Sequence, residues 1–251
     1  MFFYFFRTYY RFLFLAAIIP AAYLLVKVYK ADKLEKENPR FLAKLILAGI
    51  ISTFPAIILE RLGDALLAPV AENNSLLYRI IEFFIVVAFA EEGSKYFFLK
   101  KKTWENNEFN CKFDGVVYAV FTSLGFAICE NISYVLQYGL GTAFTRALTA
   151  IPGHACFAVF MGLFYSLAKE SGIRKEKTKS ILFRILAVVC PALLHGTYDF
   201  LATLETEAGS FIFFAFIAVL FTVSIKLVNI LSKKDRYFTS QNYWKEYEII
   251  N

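Results

Sequence analysis

Apolar residues run through this chain in blocks too long for the stripe of an amphipathic helix and too continuous for alternating strands. Seven such blocks, roughly 10–28, 41–59, 78–99, 114–138, 147–168, 181–203 and 210–232, approach or reach the length a helix needs to cross hydrocarbon, about 20 residues. The connectors between them are short and polar, as in ADKLEKENPR and KESGIRKEKTKS. No internal repeat or low-complexity segment divides the chain. The pattern predicts an all-α polytopic transmembrane bundle of about seven spans, one domain over 1–251, with 233–251 as a polar and aromatic cytoplasmic tail.

Composition agrees with that picture. Hydrophobic residues make up 58% of the chain and aromatics 18%, whereas soluble domains use roughly 45–50% apolar residues. The net charge of +6 would suggest nucleic acid in a soluble protein, but its distribution gives orientation instead. With connectors on alternating sides, all but six of the 27 Lys and Arg residues fall on one side. Arg7, Arg11, Arg61, Arg79 and Arg146 fall on the other, and Lys95 stays at membrane depth. The positive-inside rule then places the amino terminus outside and the carboxyl terminus in the cytoplasm. The partner so implied is the lipid bilayer, with no nucleic acid. The first block has no basic region ahead of it and no small-residue cleavage site, so it reads as a retained first helix. Cys111, Cys129, Cys156 and Cys190 show no paired short spacing and read as small fillers of helix interfaces.

Charged groups at membrane depth are costly and mark function or tight pairing. The third span carries Glu91, Glu92 and Lys95; the fourth carries Glu130, Asn131 and Tyr134; the fifth carries His154; the sixth carries His195 and Asp199. Both histidines of the chain belong to this set. With a rise of about 1.5 Å per residue, Glu91 lies about 20 Å below the outer end of its span, and Glu130 about 24 Å from the cytoplasmic side. Glu130, His154, His195 and Asp199 therefore share an outer layer, with the glutamate pair somewhat deeper. Four helices converging on one level predict a single site that opens outward.

Spacing says which groups can meet. His195 and Asp199 are i and i+4, as are Glu91 and Lys95, and Glu130 and Tyr134, while Glu92 and Lys95 are i and i+3. Asp199 can orient His195, Lys95 can neutralise a glutamate, and Tyr134 can offer its hydroxyl to Glu130. Ionised together, the four carboxylates would face Lys95 alone. Either some are protonated, or the histidines are charged, or a divalent cation is bound. A glutamate here could activate water, and a set such as Glu92, His154 and His195 would suit zinc with an open fourth position. Arg146 and Tyr138 read as rim residues, and Ala158, Gly162 and Ser166 as a close-packing helix face. Two other functions stay open: a proton-coupled transporter, which would spread polar groups toward both faces, and a scaffold that binds partner helices without cutting them.

The segments EEGSK (91–95), FDGVVYAVFTSLGFAICENISY (113–134), PGH (152–154) and HGTYD (195–199) resemble the motifs of the PrsW family of intramembrane proteases. The resemblance covers roughly 88–200. More distantly, EExxK, His and HxxxD are similar to motifs of the CAAX-processing and bacteriocin-immunity membrane proteases. There the last motif usually ends in Asn, where this chain has Asp199, and an arginine stands near the place of Lys95. The resemblance implies an endopeptidase in a bacterial cytoplasmic membrane that cuts a membrane-anchored protein, typically an anti-sigma factor, near the outer face. Its catalytic residues would be Glu91, Glu92, His154, His195 and Asp199, with Lys95, Glu130, Asn131 and Tyr134 in support. The family is classed with metalloproteases and its distant relatives resemble glutamate proteases, so a divalent metal such as zinc stays an open part of the expectation.

Overall fold

The computed structural model describes residues 2–71 and 76–239, so the part of the predicted tail from 240 onward lies outside the described residues. The described chain is helical almost throughout. In order it forms α1 (Phe2–Ala31), α2 (Pro39–Ala71), α3 (Leu76–Ile80), a π-helical segment (Ile81–Val87), α4 (Ala88–Thr103), α5 (Asp114–Tyr138), α6 (Leu140–Leu148), α7 (Ala150–Ile173), α8 (Lys177–Ala202) and α9 (Glu207–Lys233). Among the described residues, six helical stretches are long and apolar enough to cross a membrane. The seventh predicted span is the continuous run from α3 through the π segment to α4, whose apolar length is broken by Glu91, Glu92 and Lys95.

Contacts at the two ends show that the helices alternate in direction. At one end the loop before α5 pairs with the segment after α9: Lys112 N donates to Arg236 O at 3.1 Å, and Phe238 N to Asn110 O at 2.8 Å. Glu170, near the end of α7, gathers Lys112, Arg174 and Arg236 there. Lys169 of α7 donates to Trp104 O just past α4, and Ser232 of α9 donates to Ala31 O at the end of α1. At the opposite end Arg79, in α3, donates to Thr203 O after α8 at 3.0 Å. This arrangement is the multi-pass bundle expected from the hydrophobic pattern, and the chain is a membrane protein.

The core is built around α5, which is buried along most of its length from Asp114 to Ala127. In lipid no hydrophobic drive separates helix from helix, so contact depends on close packing between small residues. The α5–α7 crossing shows this directly: a Cβ added at Gly162 would stand 2.4 Å from Val116 Cα and 2.5 Å from Gly115 O. Across the same interface Ser123 Oγ donates to His154 O at 3.1 Å, which ties the backbone at the first histidine to the central helix. All four cysteines are free thiols.

Candidate active site

Four of these helices, α4, α5, α7 and α8, meet where their polar residues lie, and the π segment sets how α4 enters. A wide π turn changes the rotation of the following helix and is common at functional sites. Here it puts Phe84 against Gly196, where a Cβ would lie 2.7 Å from the ring, and so seats α4 against the turn of α8 that bears His195.

The centre of the site is the Lys95 ammonium, which is fully buried. It donates to Glu91 Oε2 at 2.9 Å and to Glu92 Oε1 at 2.7 Å, and lies 3.2 Å from His154 Nδ1. The Phe126 ring closes beneath it at 4.1 Å. An ammonium has three donors and no acceptor, so His154 Nδ1 must accept and the ring proton must sit on Nε2. That nitrogen faces Glu130 Oε2 at 2.9 Å. His195 is flanked on both sides: Nδ1 lies 3.0 Å from Glu92 Oε1, and Nε2 lies 3.3 Å from Asp199 Oδ2. The two imidazoles meet edge to face with centroids 5.3 Å apart, and Phe157 stacks on His195 at 4.9 Å.

Burial grades across the site. Glu92 and Lys95 are wholly enclosed, Glu91, His154 and His195 nearly so, while the Glu130 and Asp199 side chains retain 22% and 23% of their exposure. A dry interior thus leads to an accessible edge at the end of the bundle assigned to the outside. One oxygen of Glu92, Oε2, is buried without a hydrogen-bond partner.

The structure brings together all nine residues singled out in the sequence, with differences in how three of them act. Asn131 is a buried strut, donating to Ala17 O of α1 at 2.9 Å. Tyr134 does not give its hydroxyl to Glu130; its ring instead lies under the Arg146 guanidinium at 4.0 Å. Among the Glu, Asp, His and Cys side chains of the described residues, the trio with converging donor atoms is Glu91, His154 and His195, within 4.8 Å of one another, where the sequence suggested Glu92 in place of Glu91.

One residue of the site was not legible in the sequence as a member of it. Arg146, read as a rim residue, turns inward from α6 and reaches Glu130 and Asn131.

Carboxylates and imidazoles enclosed in a multi-pass helical bundle, with Glu130 and Asp199 at an accessible edge, are groups suited to hydrolysis within a membrane. The comparisons then give the family: a profile described as "PrsW family intramembrane metalloprotease" matches residues 37–226, and the chain belongs to this family. Protease PrsW of Halalkalibacterium halodurans is 33% identical over 221 residues, covering 88% of this chain and 97% of the relative. Those of Clostridioides difficile and Bacillus subtilis are 32% and 31% identical, covering 90% and 75% of this chain and 94% and 81% of the relatives. No solved structure matches. The chain is accordingly a peptide hydrolase of the membrane.

The family description implies a metal, and the donor set fits one. Glu91, His154 and His195 are buried, offer one ligand atom each, and match the nitrogen and oxygen donors zinc takes in sites with an open position for water. The fit has a competitor, because the Lys95 ammonium already faces both Glu91 and His154.

Proposed function

We propose that the protein cleaves a membrane-anchored substrate near the outer face of the membrane, with Glu91 as the base that activates water. The observation that carries this reading is the convergence of Glu91, His154 and His195 donor atoms within 4.8 Å of one another, on three buried residues. A water bound among them would meet a carboxylate able to take its proton and two imidazoles able to orient it.

The neighbouring residues take the supporting parts. All three Lys95 donors are committed, so it holds Glu91 and Glu92 in place and offsets their charge. Glu92, shared between Lys95 and His195, fixes the His195 ring. As hydroxide adds to the scissile carbonyl, charge develops on its oxygen. With Nδ1 facing Glu92 and Nε2 facing Asp199, the His195 ring offsets that charge as a neighbouring protonated imidazole rather than through a free N–H. Between His195 Nε2 and Asp199 Oδ2, two acceptors at 3.3 Å require a proton between them. That proton serves the departing amine when the C–N bond breaks. A zinc ion bound by Glu91, His154 and His195 would supply Lewis-acid polarisation of water and carbonyl.

The substrate class follows from position. A site enclosed by helices at membrane depth, open at one edge, suits a peptide presented by a membrane-anchored protein; an anti-sigma factor is the substrate that the family resemblance suggests. The site's own polar groups gather toward one face, apart from the buried carboxylates Asp32, Glu37 and Asp114 at the other end, an arrangement that supports this reading over a proton path, which needs continuity between the two. The test is cleavage of a membrane-anchored reporter by the full chain and by Glu91→Gln, His154→Ala and His195→Ala. Loss of cleavage in all three, with the fold retained, is the expected result. Cleavage that survives Glu91→Gln would overturn it.

A further inference from the structure

The short helix α6 presents two unlike faces. Leu140, Phe144 and Leu148, at i, i+4 and i+8, are exposed, and Ala143 packs against Leu13, Ala17 and Val135. Arg146 lies on neither of these apolar surfaces. Its side chain is only 14% exposed, and its guanidinium touches three residues of α5 spaced along one face. Nη2 lies 2.9 Å from Glu130 Oε2, Nε donates to Asn131 Oδ1 at 2.9 Å, and the guanidinium covers the Tyr134 ring at 4.0 Å. The Glu130 oxygen it meets is the same Oε2 that faces His154 Nε2 at 2.9 Å.

We infer that Arg146 is a positioning residue for the hydrolysis, acting through Glu130 to fix His154. The inference rests on the reading of Glu91, His154 and His195 as the water-activating group. Glu130 keeps 22% of its side chain exposed, at the accessible edge of the site. Left to itself, its carboxylate could turn outward to solvent and leave His154 Nε2 without an acceptor. Arg146 opposes this by an ion pair: Nη2, which makes no hydrogen bond of its own, places its positive charge 2.9 Å from Oε2, the oxygen that also faces the imidazole. With Nε2–H held by Glu130, the Nδ1 lone pair must point into the site, toward Lys95 and Glu91. The hydrogen bond to Asn131 holds the guanidinium in that orientation, because Asn131 is itself fixed to α1 through Ala17 O. The chain of contacts runs from α1 through Asn131, Arg146 and Glu130 to His154. No link in it needs Arg146 to touch the substrate.

A residue that only stapled α6 to α5 would affect stability, and one that bound substrate would affect KM. Positioning predicts a different pattern in reporter cleavage by the purified full chain. Arg146→Met should lower kcat about 10- to 100-fold, the scale of misplacing a catalytic group by about an ångström, with KM changed less than about twofold. Arg146→Lys keeps a cation able to reach Glu130 and should recover most of the loss, to within about fivefold of the parent. Glu130→Gln should resemble Arg146→Met, and the double variant should be no worse than either alone, since both act on one contact. Thermal unfolding of each variant reports the fold. Should Arg146→Met unfold, the Arg146→Lys and Glu130→Gln pair carries the test. An unchanged kcat, a rise in KM alone, or additive losses in the double variant would each overturn the inference. Glu91→Gln run alongside separates the two readings: if it is inactive while Arg146→Met retains full kcat, the water-activating site stands and the positioning role falls.

Discussion

The Lys95 ammonium stands 3.2 Å from Nδ1 of His154 and directs that nitrogen's lone pair into the site. A lysine so placed does for the glutamate pair what a metal cation would do, neutralising it from within. Zinc and the ammonium therefore compete for one corner of the pocket. Replacing Lys95 with Met removes the competing charge and leaves Glu91, His154 and His195 as donors. The expected outcome is tighter zinc binding by Lys95→Met than by the parent in equilibrium dialysis with metal analysis, together with loss of cleavage. Equal zinc content in the two proteins would show that the ammonium does not contest the metal position.

Glu91 and Glu92 are adjacent in sequence but separate in role. Glu91 keeps a slight exposure, 8% of its side chain, while Glu92 is wholly buried between Lys95 and His195. Glu91→Gln keeps shape and should abolish cleavage, about 100- to 10,000-fold, the usual range for losing a general base, with a smaller loss of thermal stability than Glu92→Gln because Glu92 still pairs Lys95. Glu92→Gln removes the charge shared by the wholly buried Lys95 and by His195, and removal of one member of a buried pair costs about 3–5 kcal/mol. It should therefore lower the unfolding temperature markedly more than Glu91→Gln does. Parallel melting curves and reporter cleavage check both halves.

The α5–α7 crossing has no room for a larger residue at Gly162, since the nearest atoms to an added Cβ belong to the backbone of Gly115 and Val116. Gly162→Val should force the helices apart and cost about 1–3 kcal/mol, as overpacking does. Because α7 carries His154 and is tied to α5 through Ser123, cleavage should fall along with stability, and Gly162→Ala should be milder in both. A Gly162→Val protein that melts and cleaves like the parent would contradict the close approach.

The spans and the site were largely legible in the sequence for one physical reason. A membrane demands unbroken apolar runs, so each charged residue within one stands out, and Glu91, Lys95, Glu130, His154, His195 and Asp199 were found by that contrast. Where no contrast exists, the sequence is silent. Arg146 follows a break in the helix, where Gly139 adopts φ +83°, and lies in what pattern alone reads as the margin between two spans. Only the fold shows that the chain continues there as α6 and turns the guanidinium inward. The difference between Glu91 and Glu92 depends on a rotation of one residue about α4, which the preceding π turn sets and periodicity does not.

A second acidic group lies at the end of the bundle opposite the site opening. Glu37 and Asp32, in the connector between α1 and α2, are both buried, near Glu35, Glu108, Asp114 and Asp235, with Lys36 close to Asp32. Burial pushes the Glu37 carboxyl up to about 8, with Asp32, Glu108 and Glu35 adding to the rise against a hydrogen bond from Tyr118. Burial likewise raises Asp32 to about 6, opposed by Lys36 and aided by Asp235 and Glu35. Both groups bind protons more tightly folded than unfolded. Their contribution to stability is therefore complete below the ordinary carboxylate range, near pH 4, and declines as pH rises through about 6 for Asp32 and about 8 for Glu37. The protein should melt at a lower temperature at about pH 8.5 than at about pH 6, and Glu37→Gln, which cannot ionise, should flatten that slope. A melting temperature that rises across the same interval in the parent, or a slope unchanged in Glu37→Gln, would show that these carboxylates are ionised in the folded protein.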